Sequence, residues 1–541
     1  MQGLTIRFRL RFAVAVTLAL TLAMAWSARP AAAQDATSSE YIVQMEAGSA
    51  PADGRQVVAE LGGQVTTPEL PVINGFGATM TEEAADELSA RPGVAQVTQN
   101  SDLAGNDATS GGGRCPEVQV RKRAPRLKGN SATRYSNPQS ALGKLGQPLQ
   151  AAVGADKAWT RGAYGAGVGV AVVDTGVAGY LPDFMTAGQS RVIASAVTNP
   201  CATDADDHVG HGTHVAGLIA GNSVGYGGPV LSGRYMGVAP KANIVSVKVS
   251  DDGGDTTVLD VIYGLQFVVD NRDALGIRVV NLSLSSSVSE SYKTDPLDAA
   301  AEAAWFSGIV VVAAAGNDGT ASNSVSFAPG NDPYVITAGA LDDKGTSFLG
   351  DDGVPSWSSR GVTQDGFAKP DILAPGNKLI AALAPNSSFA QLCRSCTVGR
   401  SYFRLSGTSM ATGVASGVAA LMIGNRPGLT PNQVKGALVS SARKVAGASA
   451  PAIDANAALD AQGNANAGLA PSTLIDPATG GIDWARASFR RASFRDAAGS
   501  PFGALWTRAS FRCDCGFDAS GQVDPSRVSF RRVSFRRNYD F

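Results

Sequence analysis

Between about residues 151 and 450, short and nearly unbroken apolar runs alternate with longer stretches of helical period. The runs cover 167–173, 243–249, 278–284, 308–314 and 334–338, rich in Val, Ile and Ala. A strand with one wet face would alternate apolar and polar residues; these do not, so both faces should be covered. The intervening stretches at 258–270, 297–307, 409–423 and 431–442 carry helical patterns. The order predicts an α/β fold, a mostly parallel sheet with helices on both faces. In such sheets binding sites form beyond the carboxyl ends of the strands, so the chemistry should lie just after the apolar runs.

The flanks have a different texture. In 41–100, Tyr41-Ile-Val-Gln-Met alternates like a strand and 53–61 reads as a helix. Further strand is expected at 72–79, a second helix at 81–90 opened by Thr81-Glu-Glu-Ala, and a last strand at 94–98. That order describes a small α+β, ferredoxin-like unit. Residues 101–150, rich in Gly, Ser, Asn, Lys and Arg, read as an exposed linker and processing region. The stretch 462–541 is a tail with five copies of Arg-Ala/Val-Ser-Phe-Arg. From residue 481 it holds eleven arginines against six aspartates. It reads either as flexible and dispensable, or as a module retaining the protein on an anionic cell-surface polymer.

Composition narrows the class. Hydrophobic residues make up 44% and charged residues 17% of the 541, which favours compact structure over disorder. A net charge of -1 offers no global attraction to nucleic acid, and no specific nucleic-acid partner is expected. Residues 1–33 read as a signal peptide: Arg7, Arg9 and Arg11 precede a short apolar stretch, and Ala31-Ala-Ala33 supplies a cleavage site. A retained N-terminal anchor is the alternative. Export permits disulfides, but six cysteines allow 15 pairings and spacing does not choose among them. Cys393-Arg-Ser-Cys396 reads as part of a disulfide framework or as half a zinc site.

The three histidines, His208, His211 and His214, all lie within seven positions. They are either metal ligands or the surroundings of one general base. Gly210 and Gly212 should keep the start of this run from being a regular helix, and no HExxH pattern accompanies it, which disfavours metal. Two other motifs favour a base. Val173-Asp174-Thr-Gly puts a carboxylate at a strand end, and Gly407-Thr-Ser409-Met-Ala puts a serine at a helix start. Asp174, His211 and Ser409 would make an acyl-transfer triad of orienting carboxylate, general base and nucleophile. Asn317, after the 308–314 run, offers an amide to an oxyanion alongside the Ser409 N–H. The plain alternative is that Asp174 caps a turn, Ser409 caps a helix and Asn317 sits in a turn. His214 reads as a packed helix residue and His208 as a loop or cleft residue.

Asp174-Thr-Gly, His211-Gly-Thr-His-Val-Ala-Gly, Gly316-Asn317, Lys369-Pro-Asp-Ile-Leu-Ala-Pro-Gly and Gly407-Thr-Ser409-Met-Ala, in this order, resemble the subtilisin-like serine peptidases over roughly 151–450. That family supplies the general worked example of triad and oxyanion asparagine, so these roles are those the resemblance implies. It implies a secreted serine endopeptidase acting on proteins or peptides, with a substrate cleft lined by Ser283, Leu284 and Ser285 and by Ala314, Ala315 and Gly316. The cleft should pair with substrate as an added strand. Residues 41–100, especially Arg91-Pro-Gly-Val-Ala-Gln-Val-Thr, resemble the family's inhibitor-type propeptide, which implies self-cleavage and an intramolecular inhibitor. No cofactor is implied for the chemistry; structural calcium is, with no calcium loop to point to. Two departures stand out. Gly413 replaces the usual proline after Ser409-Met-Ala-Thr and should loosen the helix, and Ser285 replaces a glycine in the substrate strand. A catalytically weak surface or adhesion protein on the same scaffold is the alternative function.

Overall fold

The computed structural model describes residues 38–46, 48–100, 103–104, 138–224, 230–473 and 475. The signal-peptide reading, most of the linker, and the repeats of the tail lie outside the described residues.

Residues 38–100 form β1 (Ser39–Met45), α1 (Pro51–Glu60), β2 (Gln64–Val65), β3 (Gly75–Met80), α2 (Glu82–Ser89) and β4 (Val94–Gln99). The strands make one antiparallel sheet in the order β2-β3-β1-β4. Thr81 caps α2, its side chain accepting from the Ala84 N–H. The expected strand at 72–79 is shorter than its apolar pattern. Pro71–Ile73 forms a 3-10 turn, and Asn74 takes a left-handed conformation before β3 begins. The reason is tertiary. Val72 and Ile73 are fully buried in the core of the larger body, each worth ~1.5–3 kcal/mol. Docking that turn outweighs extending a strand. A buried hydrogen bond from the Val72 N–H to Gln266 Oε1 (2.8 Å) fixes it there.

Next comes the two-residue strand β5 (Leu103–Ala104). The body then supplies β6 (Gly169–Asp174), β7 (Val192–Val197), α3 (His211–Ala220), β8 (Asn243–Lys248), α4 (Val258–Asp270), β9 (Ile277–Leu282), β10 (Ser285–Ser286), α5 (Pro296–Phe306), β11 (Val310–Ala314), β12 (Ile336–Leu341), β13 (Ile372–Pro375), β14 (Leu379–Ala382), α6 (Ser388–Leu392), β15 (Tyr402–Leu405), α7 (Thr408–Asn425), α8 (Pro431–Ser441) and α9 (Ala455–Ala458). Seven strands form a parallel sheet in the order β13-β12-β11-β9-β6-β8-β7. The apolar runs were thus correctly read as strands buried on both faces; every residue of β6 is buried. From β6 the chain winds one way to β8 and β7 and the other way to β9, β11, β12 and β13. A crevice therefore opens at the carboxyl end of β6, where Asp174 sits.

Two boundaries shift. The stretch 138–150, expected in the exposed linker, is part of the body: Ala141 and Leu149 are buried in its core, and Gln147 exchanges hydrogen bonds with the Ile380 N–H and carbonyl. At the other end Ile453, Leu459 and Ile475 also enter that core, so packing continues past residue 450.

Where the extension 469–475 crosses α5 it covers buried charge. Glu302 accepts from the Ser472 N–H at 2.8 Å, and burial, then repulsion from Asp332, pushes its carboxyl up to about 10. Asp298 is likewise raised well above its usual range by burial. Unfolded, Glu302 would ionise near its ordinary 4.5, so the native state holds an extra proton between that value and about 10. Stability must then fall as pH rises through this window. An amide mimics the protonated acid, keeping an oxygen for Ser472 and offering N–H to Asp332. In a Ser409→Ala background, the Tm measured calorimetrically is expected to drop between pH 6 and pH 10. The added Glu302→Gln change should make that drop smaller; an equal drop in both proteins would contradict the assignment.

Candidate active site

Asp174 ends β6, and the chain turns immediately through Thr175-Gly176. Helix α3 begins at His211 and lies against that turn. Gly212 allows the approach, since a Cβ there would be 2.2 Å from the Gly176 carbonyl oxygen and 3.1 Å from Asp174 Cβ. The expectation that Gly210 and Gly212 interrupt the helix is therefore corrected: Gly210 precedes it with φ near 105°, and Gly212 is its second residue. The result is a 2.7 Å hydrogen bond between His211 Nδ1 and Asp174 Oδ1, with Asp174 buried. Asp174 Oδ1 also accepts from the Thr175 N–H at 2.7 Å, which fixes the carboxylate plane.

Asp207 was missed in the sequence reading and does much of the positioning. Its Oδ1 accepts from the Gly210 N–H (2.7 Å) and from Thr175 Oγ1 (2.9 Å), and its Oδ2 accepts from the Thr213 N–H (2.8 Å). It thereby caps α3 from outside the helix and ties the cap to the Asp174 turn. Burial raises its pKa against these hydrogen bonds, which oppose the shift. An aspartate four residues before a helix start was the available signal.

Ser409 is the second residue of α7, whose start is set by Gly407. Its hydroxyl donates to the Ser283 carbonyl at 3.2 Å, and the Ser283 hydroxyl donates to the Ser409 carbonyl at 2.9 Å. Asn281 Nδ2 donates to Ser283 Oγ (2.9 Å), and Ser416 Oγ donates to Asn281 Oδ1 (3.0 Å). This buried chain pins the nucleophile's backbone; Asn281 and Ser416 are invisible in that role from sequence. Gly413 does not interrupt α7, which runs unbroken for 18 residues. Instead it is the point of contact with α3: a Cβ there would be 3.3 Å from both Val215 Cγ1 and the Val215 carbonyl. The predicted loosening is replaced by close packing of the base's helix on the nucleophile's helix.

Asn317 lies beyond β11 and faces the start of α7. Its Oδ1 accepts from the Thr408 N–H (3.0 Å) and hydroxyl (3.1 Å), and the Gly316 N–H donates to that hydroxyl (3.2 Å). Since two donors hold the oxygen, the amide nitrogen must point the other way. The point a Gly407 Cβ would occupy is 3.7 Å from Asn317 Nδ2 and 3.8 Å from the Ser409 N–H nitrogen. The two donor nitrogens thus flank one point beside Gly407, as the oxyanion role expected of them would require.

The cleft residues fall on neighbouring strand ends. Ser283 and Leu284 follow β9, Ser285 opens β10, Ala314 ends β11, and Ala315 and Gly316 follow it. Ser285 is paired: β10 runs antiparallel to β5, with Ser285 opposite Ala104 and Ser286 opposite Leu103.

The histidines separate completely. His214 is buried, its Nε2 facing the carbonyls of Phe403 (3.0 Å) and Leu379 (3.3 Å), and burial lowers it to about 3. His208, Asp204 and Asp252 offer ligand atoms within 4.8 Å of one another. Calcium needs a cage of oxygens alone, whereas this group includes an imidazole, and the Lys248 ammonium already sits 2.6 Å from Asp252. These residues do not fit the calcium the resemblance implies. Buried Lys369 and Lys435 similarly fill the ring of carbonyls of Asp332, Pro333 and Val335. Cys393 and Cys396 form a disulfide, which removes the zinc half-site, and Cys201 is disulfide-bonded as well.

Comparison with known proteins finds relatives over much of the chain. Residues 165–465 match the sequence profile of the Subtilase family. Serine protease AprX of Bacillus subtilis is 44% identical over 277 residues, 50% of this chain; the match spans only 60% of AprX. Subtilisin E of the same organism is 30% identical over 418 residues, 76% of this chain and 87% of its own. Among solved structures, fervidolysin from Fervidobacterium pennivorans, a keratinolytic enzyme related to subtilisin, superimposes with a TM-score of 0.57 at 26% identity, covering 78% of this chain and 61% of that one.

A methyl at Gly407 would meet only ordinary contacts, the nearest being Met410 Sδ at 3.5 Å, yet it would fill the volume between the two donors. Gly407→Ala is therefore expected to leave the unfolding free energy within about 1 kcal/mol of wild type while lowering turnover of a peptide ester ~10²–10³-fold. Unchanged turnover would show that the donors serve no oxyanion.

Proposed function

Because this chain belongs to the subtilase family, we propose that it is a secreted, self-activating serine endopeptidase hydrolysing peptide bonds in proteins through an acyl-enzyme. The observation that carries the reading is the 2.7 Å hydrogen bond between His211 Nδ1 and Asp174, on a helix that packs at Val215 against the helix opened by Thr408 and Ser409. His211 takes the proton from Ser409 as the oxygen attacks the scissile carbonyl. Asp174 accepts from Nδ1, which leaves Nε2 as the base and stabilises the imidazolium. Asn317 Nδ2 and the Ser409 N–H hold the oxyanion, His211 returns its proton to the leaving amine, and water then releases the acyl group. Subtilases need no cofactor for catalysis.

Self-activation is supported by the β5–β10 pairing, which lays the chain just after the 38–100 unit on the strand expected to bind substrate. The numbering of β5 rises as that of β10 falls, so it runs towards Ser283 and the nucleophile. Two residues further along the sequence, that direction leads us to expect self-cleavage between Asn106 and Asp107. The unit 41–100 is then the propeptide, held as inhibitor by contacts such as Leu259 N–H to Asn100 Oδ1 (3.2 Å). Secretion rests on the N-terminal pattern of residues 1–33. Among the described residues no helix is long and apolar enough to cross a membrane.

Wild type and Ser409→Ala, expressed as full chains, separate this reading from a non-catalytic scaffold. Wild type should yield a mature N-terminus at Asp107, cleave casein and react at Ser409 with a fluorophosphonate; Ser409→Ala should do none of these. If both remain unprocessed and unlabelled, the reading fails. The mature enzyme's kcat/KM should also show one acid limb between about pH 5 and 8, since His211 is the only imidazole in the machinery. A flat profile over that range would remove His211 as the base.

A further inference from the structure

The hydrogen bond to Asp174 holds His211 at Nδ1, and a packing contact on the ring would further resist tilting about that bond. The structure supplies one from the segment joining β14 to β15. Phe389, in α6, meets the His211 ring edge-on, with centroids 6.3 Å apart and planes at 79°. The backbone of the same helix grips the residues leading into the base: the Ser388 N–H donates to the His208 carbonyl (2.8 Å) and the Phe389 N–H to the Val209 carbonyl (3.0 Å). Three contacts from consecutive residues thus act on 208–211.

The segment is itself held at both ends. Phe389 stacks on Phe403 of β15 at 5.6 Å, with the planes 15° apart. β15 is paired with β14, Phe403 opposite Ala381. The Phe403 carbonyl lies 3.0 Å from His214 Nε2, one turn beyond His211 on α3. The contacts close a ring: His211 to His214 along α3, His214 to Phe403, Phe403 to Phe389, and Phe389 back to His211. The Cys393–Cys396 disulfide closes the strap just after α6, and both cysteines pack in the cluster of Leu383, Phe389 and Phe403 that also takes Val209.

We propose that residues 387–398 are a positioning strap for the general base, in which Phe389 sets the orientation of His211 and the Cys393–Cys396 disulfide holds Phe389 in place. This rests on the reading of His211 as the base of a serine endopeptidase. Phe389 is a positioning residue and touches no reacting atom. The strap acts on the attack step and leaves substrate binding alone, because its contacts lie on the far segment of the base and not on 283–285 or 314–316.

The test compares mature wild type with Phe389→Ala, Phe389→Tyr and the double variant Cys393→Ser/Cys396→Ser, on one peptide substrate, with fluorophosphonate labelling of Ser409 in parallel. Substitution is used instead of a reductant because Cys201 is also disulfide-bonded. Phe389→Ala should lower kcat about tenfold, as small misplacements of a catalytic group do, with KM within about twofold, and labelling should slow equally. Phe389→Tyr, which keeps the ring, should restore kcat to within about twofold of wild type. The double serine variant should fall between the two. If Phe389→Ala does not fold, the double serine variant decides alone. Wild-type kcat in Phe389→Ala, a loss confined to KM, or a Phe389→Tyr variant as slow as Phe389→Ala would overturn the strap. Wild type that is itself unlabelled at Ser409 would instead overturn the underlying reading.

Discussion

Helix α3 rests almost directly on the turn after Asp174, and the candidate active site depends on that contact. A single hydrogen on Gly212 lets the helix rest on the Gly176 carbonyl, where any side-chain carbon would sit at 2.2 Å. The surroundings of His211 follow from this contact: the 2.7 Å bond to Asp174, the shared cap from Asp207, and the Thr175 hydroxyl that accepts from the Gly212 N–H at 3.0 Å. The same logic applies one layer further in, where Gly413 lets α7 meet α3 at Val215. Hydrogen-bond partners then set orientation; small residues set distance.

Polar groups around the site are spent on backbone geometry. Asn281, Ser283 and Ser416 form a buried relay to the Ser409 carbonyl, and Thr408 locks the Asn317 amide by occupying its oxygen. Buried polar groups are costly unless paired, so each such chain rigidifies what it touches. That is the condition for an oxyanion site whose donors need no rearrangement when charge develops. Elsewhere the body tolerates buried charge by supplying its own cations. Lys369 and Lys435 sit among carbonyl oxygens around Asp371, while burial pushes the carboxyls of Glu302 and Asp298 up.

The N-terminal unit shows how docking edits a local pattern. Residues 72–79 are apolar enough for a strand, but Val72 and Ile73 are drawn into the neighbouring core, and the strand starts only at Gly75. From the same unit the chain continues into the short pairing with Ser285–Ser286, so a side chain at Ser285 does not prevent a strand from lying there. The departure from glycine at that position alters the wall of the cleft and leaves its backbone available.

Much of this was legible in the residues themselves. Apolar runs without alternation specify a parallel sheet, because only burial on both faces accounts for them, and catalytic side chains at their carboxyl ends follow from that geometry. Asp174, His211, Asn317 and Ser409 stood out as candidates because each is a chemically active residue beside a turn or helix start, and those positions are where the structure has them. What the chain order left open were relations between segments far apart in sequence. Asp207 as an external cap, Ser416 and Asn281 behind the nucleophile, His214 on the Phe403 carbonyl and Phe389 against the imidazole all depend on which faces meet. Local sequence carries periodicity and turn chemistry, whose range is a few residues. Only the packed structure fixes contacts between residues hundreds of positions apart, and those contacts decided that three neighbouring histidines do three different things.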